Sequence, residues 1–293
     1  MATIGAATPD TAPSRSSYVR ELWARREFIV HLARGNLAAK TAEARLGVLW
    51  WVLNPLLLSA IYFVVFGLII RGTNRSSASF LAYLIVGVLV FRFFTVTLSQ
   101  SAGLIISNAK LIVNLRFPRL VLPIAAVLEG LITFLASLSV FYLLVTPVSC
   151  IQAARDVVGV TCIAPTYRLA LLPIPLLLLV MFTLGIGAFV ARWAVPIRDV
   201  RNVIPHVTRF WFYLSPVLWG TERLASVADD WPLLVYVLEA NPMYAFLSLF
   251  RTALINDPFE PLLLASGTAW AVIVMLLGVR GFVRHEDEMA RYL

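Results

Sequence analysis

The chain has 293 residues, 60% of them hydrophobic and 14% charged, with a mean hydropathy of +0.85. A soluble domain carries about 25% charged residues, so this composition excludes an ordinary water-soluble enzyme and calls for lipid as the solvent. The net charge of +8 does not describe a nucleic-acid footprint, because the basic residues are scattered between apolar spans and form no basic face interleaved with aromatics.

Residues 1–17 are a polar Ala/Thr/Ser/Pro tail, expected to be disordered and cytoplasmic. The first long apolar run starts near Val48, too late for a cleavable signal peptide, so that span is expected to be its own membrane address. Residues 18–293 read as a single transmembrane domain. Its first part, 18–40, is helix-like and amphipathic. Val19, Leu22, Trp23, Ile29, Val30 and Leu37 fall roughly on one face, and Arg20, Glu21, Arg25, Glu27 and Arg34 decorate the other. A helix of this kind lies in the plane of the membrane surface, as an anchor or as an elbow that moves with a cytoplasmic partner.

A lipid crossing takes about 20 predominantly apolar residues as a helix, since backbone amides find no water there. Six stretches qualify, at about 48–70, 80–104, 120–147, 169–191, 203–221 and 261–281. The apolar segment 231–255 is interrupted by Asn241-Pro242 and carries Glu239 and Arg251. It reads as two short re-entrant half-helices entering from one side. The expected fold is therefore an all-α membrane bundle of six transmembrane helices, with an N-terminal interfacial helix and a re-entrant pair.

Lys/Arg bias sets orientation. Arg15, Arg20, Arg25, Arg26, Arg34, Lys40 and Arg45 lie in the arm, Lys110, Arg116 and Arg119 in the second-to-third loop. Arg192, Arg198, Arg201 and Arg209 lie between the fourth and fifth spans, and Arg280, Arg284 and Arg291 in the tail. The opposite side holds fewer: Arg71, Arg75, Arg155, Arg168, Arg223 and Arg251. Both termini are thus expected in the cytoplasm. Trp50, Trp51, Trp193, Trp219 and Trp231 fall near span ends, as interfacial aromatics do.

Residues Ser107 to Arg119 form a short basic loop that keeps Leu111, Ile112, Leu115 and Phe117 among its charges, a pattern suited to insertion into a partner's groove. Arg92 sits mid-span between Phe91, Phe93 and Phe94. A central arginine costs about 2.5–3.5 kcal/mol on insertion scales, so it needs a partner or a cavity, and Glu129 is the acid expected opposite. Phe210, Trp211, Phe212, Tyr213 and Trp219 crowd the fifth span, where they are core, lipid-facing or a stacking surface for sugars. Cys150 and Cys162 both fall in an expected outer loop, an oxidising compartment in which a disulfide can form.

Enzyme signatures are missing. His31, His206 and His285 are isolated, and Asp229-Asp230 reads as a solvated outer loop. The run Gly35 to Thr41 has the Lys-Thr of a phosphate-binding loop but Ala39 and Arg34 where its glycines belong. No cofactor or metal is expected on this chain, and no ATP hydrolysis.

The order of motifs resembles the transmembrane subunits of ABC polysaccharide exporters, of the O-antigen, teichoic-acid and cell-wall galactan type. The resemblance begins at Arg45-Leu46-Gly47-Val48-Leu49-Trp50, Asn54-Pro55 and Val65-Phe66-Gly67. It continues through Asn108, Leu111-Ile112, Phe117-Pro118-Arg119 and Pro123 to Arg198-Asp199-Val200, Ser215-Pro216, Asn241-Pro242 and Arg251. Two departures stand out: Lys110 precedes Leu111-Ile112 where the family usually has its lysine after that pair, and Arg92 is not typical of the second span.

The resemblance implies a homodimer around a conduit, two ATPase subunits that bind ATP and Mg, and a lipid-linked polysaccharide as cargo. It implies ATPase docking through Asn108, Lys110, Leu111, Phe117, Pro118 and Arg119 with Arg25 and Arg26 of the arm. Arg92, Phe91, Phe94, Trp211 and Tyr213 would line the conduit, and Asn241, Pro242, Tyr244 and Arg251 the outer gate. Arginine supplies 22 of the 24 basic residues, the mark of a GC-rich coding sequence, which favours a cell-wall galactan or O-antigen-like cargo. Competing expectations are a drug or small-lipid exporter with the same fold and an ion-coupled secondary transporter. The latter needs intramembrane carboxylates, of which only Glu129 is evident. A polyprenyl-lipid transferase needs an acidic or His cluster near one face, and none is evident.

Overall fold

The computed structural model describes residues 15–42, 45–47, 49–69, 77–115, 117–155, 162–220 and 231–290. Tail residues 1–14 and Arg71, Arg75, Arg116, Arg223, Asp229-Asp230 and Arg291 lie outside the described residues.

The arm forms two helices, α1 (Arg15–Ala24) and α2 (Arg26–Ala42). They lead through Gly47, whose φ of 45° suits a residue without a Cβ, into α3 (Leu49–Tyr62), which continues as π-helical turns over Phe63–Ile69. Then come α4 (Ser77–Ser107), the short α5 (Ala109–Asn114) and α6 (Val121–Ala154). A 3-10 turn at Tyr167–Leu171 precedes α7 (Pro173–Trp193), followed by α8 (Val200–Leu214). The remainder is α9 (Pro232–Glu239), α10 (Pro242–Ile255), α11 (Pro261–Arg284) and α12 (Glu286–Ala290).

Five of these segments are long and apolar enough to cross a membrane: Leu49–Phe66, Ser79–Ser107, Val121–Ile151, Tyr167–Trp193 and Pro261–Arg284. The pair α9 and α10, bent by 66° at Asn241, makes a sixth if it is taken as one span. The chain is a multi-pass membrane protein.

The expected span at 203–221 differs. α8 has 15 residues, roughly 22 Å at 1.5 Å per residue, short of a hydrocarbon core of about 30 Å. Its end is set by Ser215-Pro216. Proline has no N–H to donate and pushes the preceding residue out of the helical region; Ser215 is extended, with φ −91° and ψ 149°.

α4 is the central helix. It packs against α3, α6, α7, α8 and α10, and Phe80, Tyr83, Phe91 and Phe94 are buried along it. α7 and α11 make the closest crossing. A Cβ on Gly185 would lie 2.5 Å from the Val274 carbonyl oxygen, and one on Gly278 would collide with the Gly185 backbone. Small residues let the two backbones touch where lipid gives no hydrophobic push.

Pro55, inside α3, leaves the Trp51 carbonyl without its usual i+4 donor. Ser137 of α6 offers one, its hydroxyl sharing its single proton between that oxygen at 3.1 Å and the Thr133 carbonyl of its own helix at 2.8 Å. α2 lies on α6, with Ile29 and Ala33 buried against Val121 and Ala125 and Leu37 buried a turn further along. The arm's apolar face is therefore divided: α2 spends it on α6, while Val19 and Trp23 of α1 stay exposed.

Candidate functional site

Two places in the bundle gather the candidate side chains, and a packed joint lies between α8 and α10. The first is the end where α1, α2, α5 and α12 meet. Asn108 closes α4, its amide donating to the Leu104 carbonyl at 2.8 Å and the Ser107 hydroxyl at 3.2 Å. Its own carbonyl accepts from Leu111 and Ile112 at 3.0 Å, which starts α5. With Ile112 buried and Leu111 half-buried, helical periodicity turns Lys110 and Val113 outward, and Leu115, extended past the end of α5, is exposed as well. Val113 is 73% exposed.

Phe117 stacks edge-on against Phe28 of α2 at 5.7 Å, and Pro118 is buried. The Arg119 backbone N–H donates to Glu286, while its guanidinium Nη1 is buried with no hydrogen-bond partner among the described residues. Arg25 and Arg26 are exposed, with Arg26 over the Trp23 ring at 5.6 Å and Trp23 itself 71% exposed.

The residues expected to dock thus divide by direction. Lys110, Arg25 and Arg26 face outward, whereas Leu111, Phe117 and Pro118 turn into the protein and hold the loop. The outward apolar positions are Val113 and Leu115. Val113 was not among the residues expected to dock, and Ile112, read from sequence as an apolar residue suited to a partner's groove, is buried.

The second place is a groove along α4. A pocket of about 320 Å³ opens between Lys40, Trp50, Trp51, Arg92, Gln100, Glu129 and Ser137 among others. A more open one beyond it is lined by Tyr62, Phe91, Thr95, Pro205, Arg209 and Phe212. Arg92, Val96 and Gln100 line both, as positions i, i+4 and i+8 of one helical face do.

Glu129, 4% exposed, is not opposite Arg92. It is paired with Lys40 of α2 and accepts from the Gln100 amide at 3.2 Å. The reason is register. Gln100 meets Glu129, and Arg92 stands eight residues, about 12 Å, further along α4. Arg92 is half-buried in the groove, and among the described residues no carboxylate answers it.

Of the expected conduit residues, Arg92 lines the groove, Phe91 is buried with one side forming the floor of the second pocket, and Tyr213 is exposed. Phe94 is corrected: it is fully buried, packed against Trp211 at 5.2 Å and Phe182 at 5.8 Å, because α4 is covered there by α7 and α8. Trp211 spends its indole N–H on Asn241 at 2.8 Å.

That bond belongs to the joint. Asn241 caps α10, its Oδ1 accepting from the Met243 N–H at 3.0 Å, and its amide donates to the Ser215 hydroxyl at 3.0 Å. Pro242 occupies the first turn, where no N–H is needed. Tyr244 is buried, and Arg251 is 1% exposed with its guanidinium 3.3 Å from the Tyr83 ring centroid. Gly87 leaves room for it, since a Cβ there would lie 2.8 Å from Arg251 Nη2. The expected gate residues are therefore buried packing residues, and the exposed apolar side chains of the bent pair lie on α9, at Leu233, Tyr236 and Val237.

Cys150 and Cys162 are joined as a disulfide, and the adjacent Ile163 N–H donates to the Ser149 hydroxyl at 3.0 Å. No group of three or more His, Cys, Asp or Glu side chains that could hold a metal ion is present among the described residues.

No family model matches the chain. It is 28% identical over 233 residues to the O-antigen export system permease protein RfbA of Myxococcus xanthus, covering 80% of this chain and 82% of that protein. Two RfbA proteins of Klebsiella pneumoniae are 23% and 22% identical over 91% and 84% of this chain. The chain resembles O-antigen export permeases over most of its length. The likeness agrees with the ordered motifs and with the apolar spans.

Proposed function

We propose that this chain is the membrane-spanning subunit of an ABC transporter that exports a lipid-linked polysaccharide, of O-antigen or cell-wall galactan type, across the cytoplasmic membrane. The observation that carries the reading is its similarity to three O-antigen export permeases over 80%, 91% and 84% of its length. Two copies of the chain would enclose the conduit, and two copies of a separate ATPase subunit would bind ATP and Mg. In this reading the nucleotide site and the catalytic residues belong to the ATPase subunit.

Both termini face the cytoplasm in this reading, so the end bearing Lys110, Val113, Leu115, Arg25 and Arg26 meets the ATPase. α1 and α2 serve as the interfacial elbow, α8 with the turn after it as the sixth crossing that keeps both termini on one side, α9 and α10 as the re-entrant outer gate, and Asn241 as the joint that ties the gate to α8. Arg92 faces the cargo path, where a guanidinium in a low-dielectric groove attracts an anionic group.

Depletion of the chain in its host tests the reading. Lipid-linked glycan is expected to accumulate on the cytoplasmic leaflet while surface polysaccharide falls. Unchanged surface polysaccharide with altered drug tolerance would replace this cargo with a small lipophile.

A further inference from the structure

Three segments far apart in sequence meet at one carboxylate. Glu286 opens α12, and its Oε2 accepts from the phenol of Tyr18 in α1 at 2.7 Å. Its Oε1 accepts from the Arg119 backbone N–H, at the end of the loop that leads into α6. A negative charge just before a helix start is favoured by the helix dipole and by the amides that have no intrahelical partner there. Burial, and then the Glu286 charge, hold the Tyr18 phenol well above the usual tyrosine range, so it stays a donor.

The residues around Glu286 are anchored as well. Met289 is buried with Leu120, Leu122 and Phe282, and Tyr18 and Leu22 pack on the same cluster. His285 Nδ1 faces the Gly281 carbonyl at 2.9 Å, so that nitrogen carries the proton and Nε2 accepts from Arg192 of α7 at 3.0 Å. The C-terminal segment thereby touches α1, the loop, the start of α6 and the last turn of α7.

We propose that Glu286 is a positioning residue: a clasp that makes the N-terminal arm, the loop from Asn108 to Arg119 and the C-terminal segment move as one body. A push received at Lys110, Val113 or Leu115 then reaches α6 and α7 together and is not absorbed by local bending of the loop. The inference rests on the docking role given to this end above, but it concerns residues that need not touch the partner.

The test uses Glu286→Gln and Tyr18→Phe in the full chain, assembled with its ATPase and reconstituted with lipid-linked glycan. Gln keeps the volume and both contacts, its carbonyl accepting from the Arg119 N–H and its amide donating to the Tyr18 hydroxyl, but removes the charge that strengthens them; Phe keeps the ring's packing and removes one bond. Both variants are expected at wild-type membrane level with near-wild-type ATP turnover. Glycan exported per ATP should fall about threefold in both variants, since Gln turns two charge-assisted bonds into neutral ones of about half the strength and Phe removes one bond outright. Wild-type export per ATP in both variants overturns the clasp while leaving the exporter reading intact.

Amide hydrogen exchange of the purified chain gives a readout that needs no transport. In Tyr18→Phe, and in Glu286→Gln if it accumulates, exchange should quicken together in α1, at Arg119 and in α12. Unchanged exchange at Arg119 overturns the proposal. Should the wild-type complex move no glycan, the exporter reading fails, and the exchange experiment alone decides whether the three segments are clasped.

Discussion

At Glu129 a carboxylate sits inside the bundle, held by the half-exposed Lys40 and by Gln100. Removing one partner of a buried pair costs about 3–5 kcal/mol and an exposed pair contributes under about 1, so this mixed pair falls between. Lys40→Met should destabilise the chain by about 1–3 kcal/mol, and the double variant with Glu129→Gln should lose less than Lys40→Met alone, because no unanswered charge remains. Thermal unfolding in detergent measures both; a double variant worse than either single would contradict the pairing. Arg92→Glu should cut export about tenfold or more if the side chain meets anionic cargo, by reversing a charge in a low-dielectric groove. Unaltered transport would leave Arg92 a purely structural role. The sequence showed that Arg92 and Glu129 both needed answers. It could not show that Lys40 reaches Glu129 first, because that depends on α2 folding back along α6.

The helices themselves were legible wherever lipid imposes a long apolar run: the expected stretches fall on α4, α6, α7 and α11, although α7 begins only at Pro173 and α6 runs on to Ala154. α8 was overdrawn because its apolar run continues past Ser215-Pro216, where the backbone cannot remain helical. The joint at Asn241-Pro242 was read correctly as a break, but its bonds to Trp211 and Ser215 are tertiary and leave no local mark. Helix contacts also yield tests. Ser137→Ala should cost about 1–2 kcal/mol by leaving the Trp51 carbonyl without its donor. The same change in a Pro55→Ala background should cost less, since residue 55 then supplies the N–H. Equal losses in both backgrounds, read by thermal unfolding, would remove that account of the proline. Gly278→Leu should separate α7 from α11 and cost about 1–3 kcal/mol or more by overpacking. A wild-type melting temperature would show that the crossing is looser than drawn.

For the whole molecule, the disposition of charge and exposed apolar surface matters more than any one contact. The basic loop, the arm and the C-terminal segment share one end, and the disulfide-linked segment following α6 lies at the far end of that helix from its basic start. An ATP-driven partner can act only on a surface in the cytoplasm, so the export account stands or falls with the side of the membrane on which α5 lies. Phe117→Ala should lower export per ATP by loosening α5 from α2 while the protein remains inserted; wild-type coupling would detach the loop from the motor. The most direct measurement is side-specific labelling of Val113→Cys in a chain with Cys150 and Cys162 replaced by alanine. Labelling by a membrane-impermeant maleimide only after the cells are opened is the predicted result. Labelling of Val113→Cys on intact cells would contradict the account.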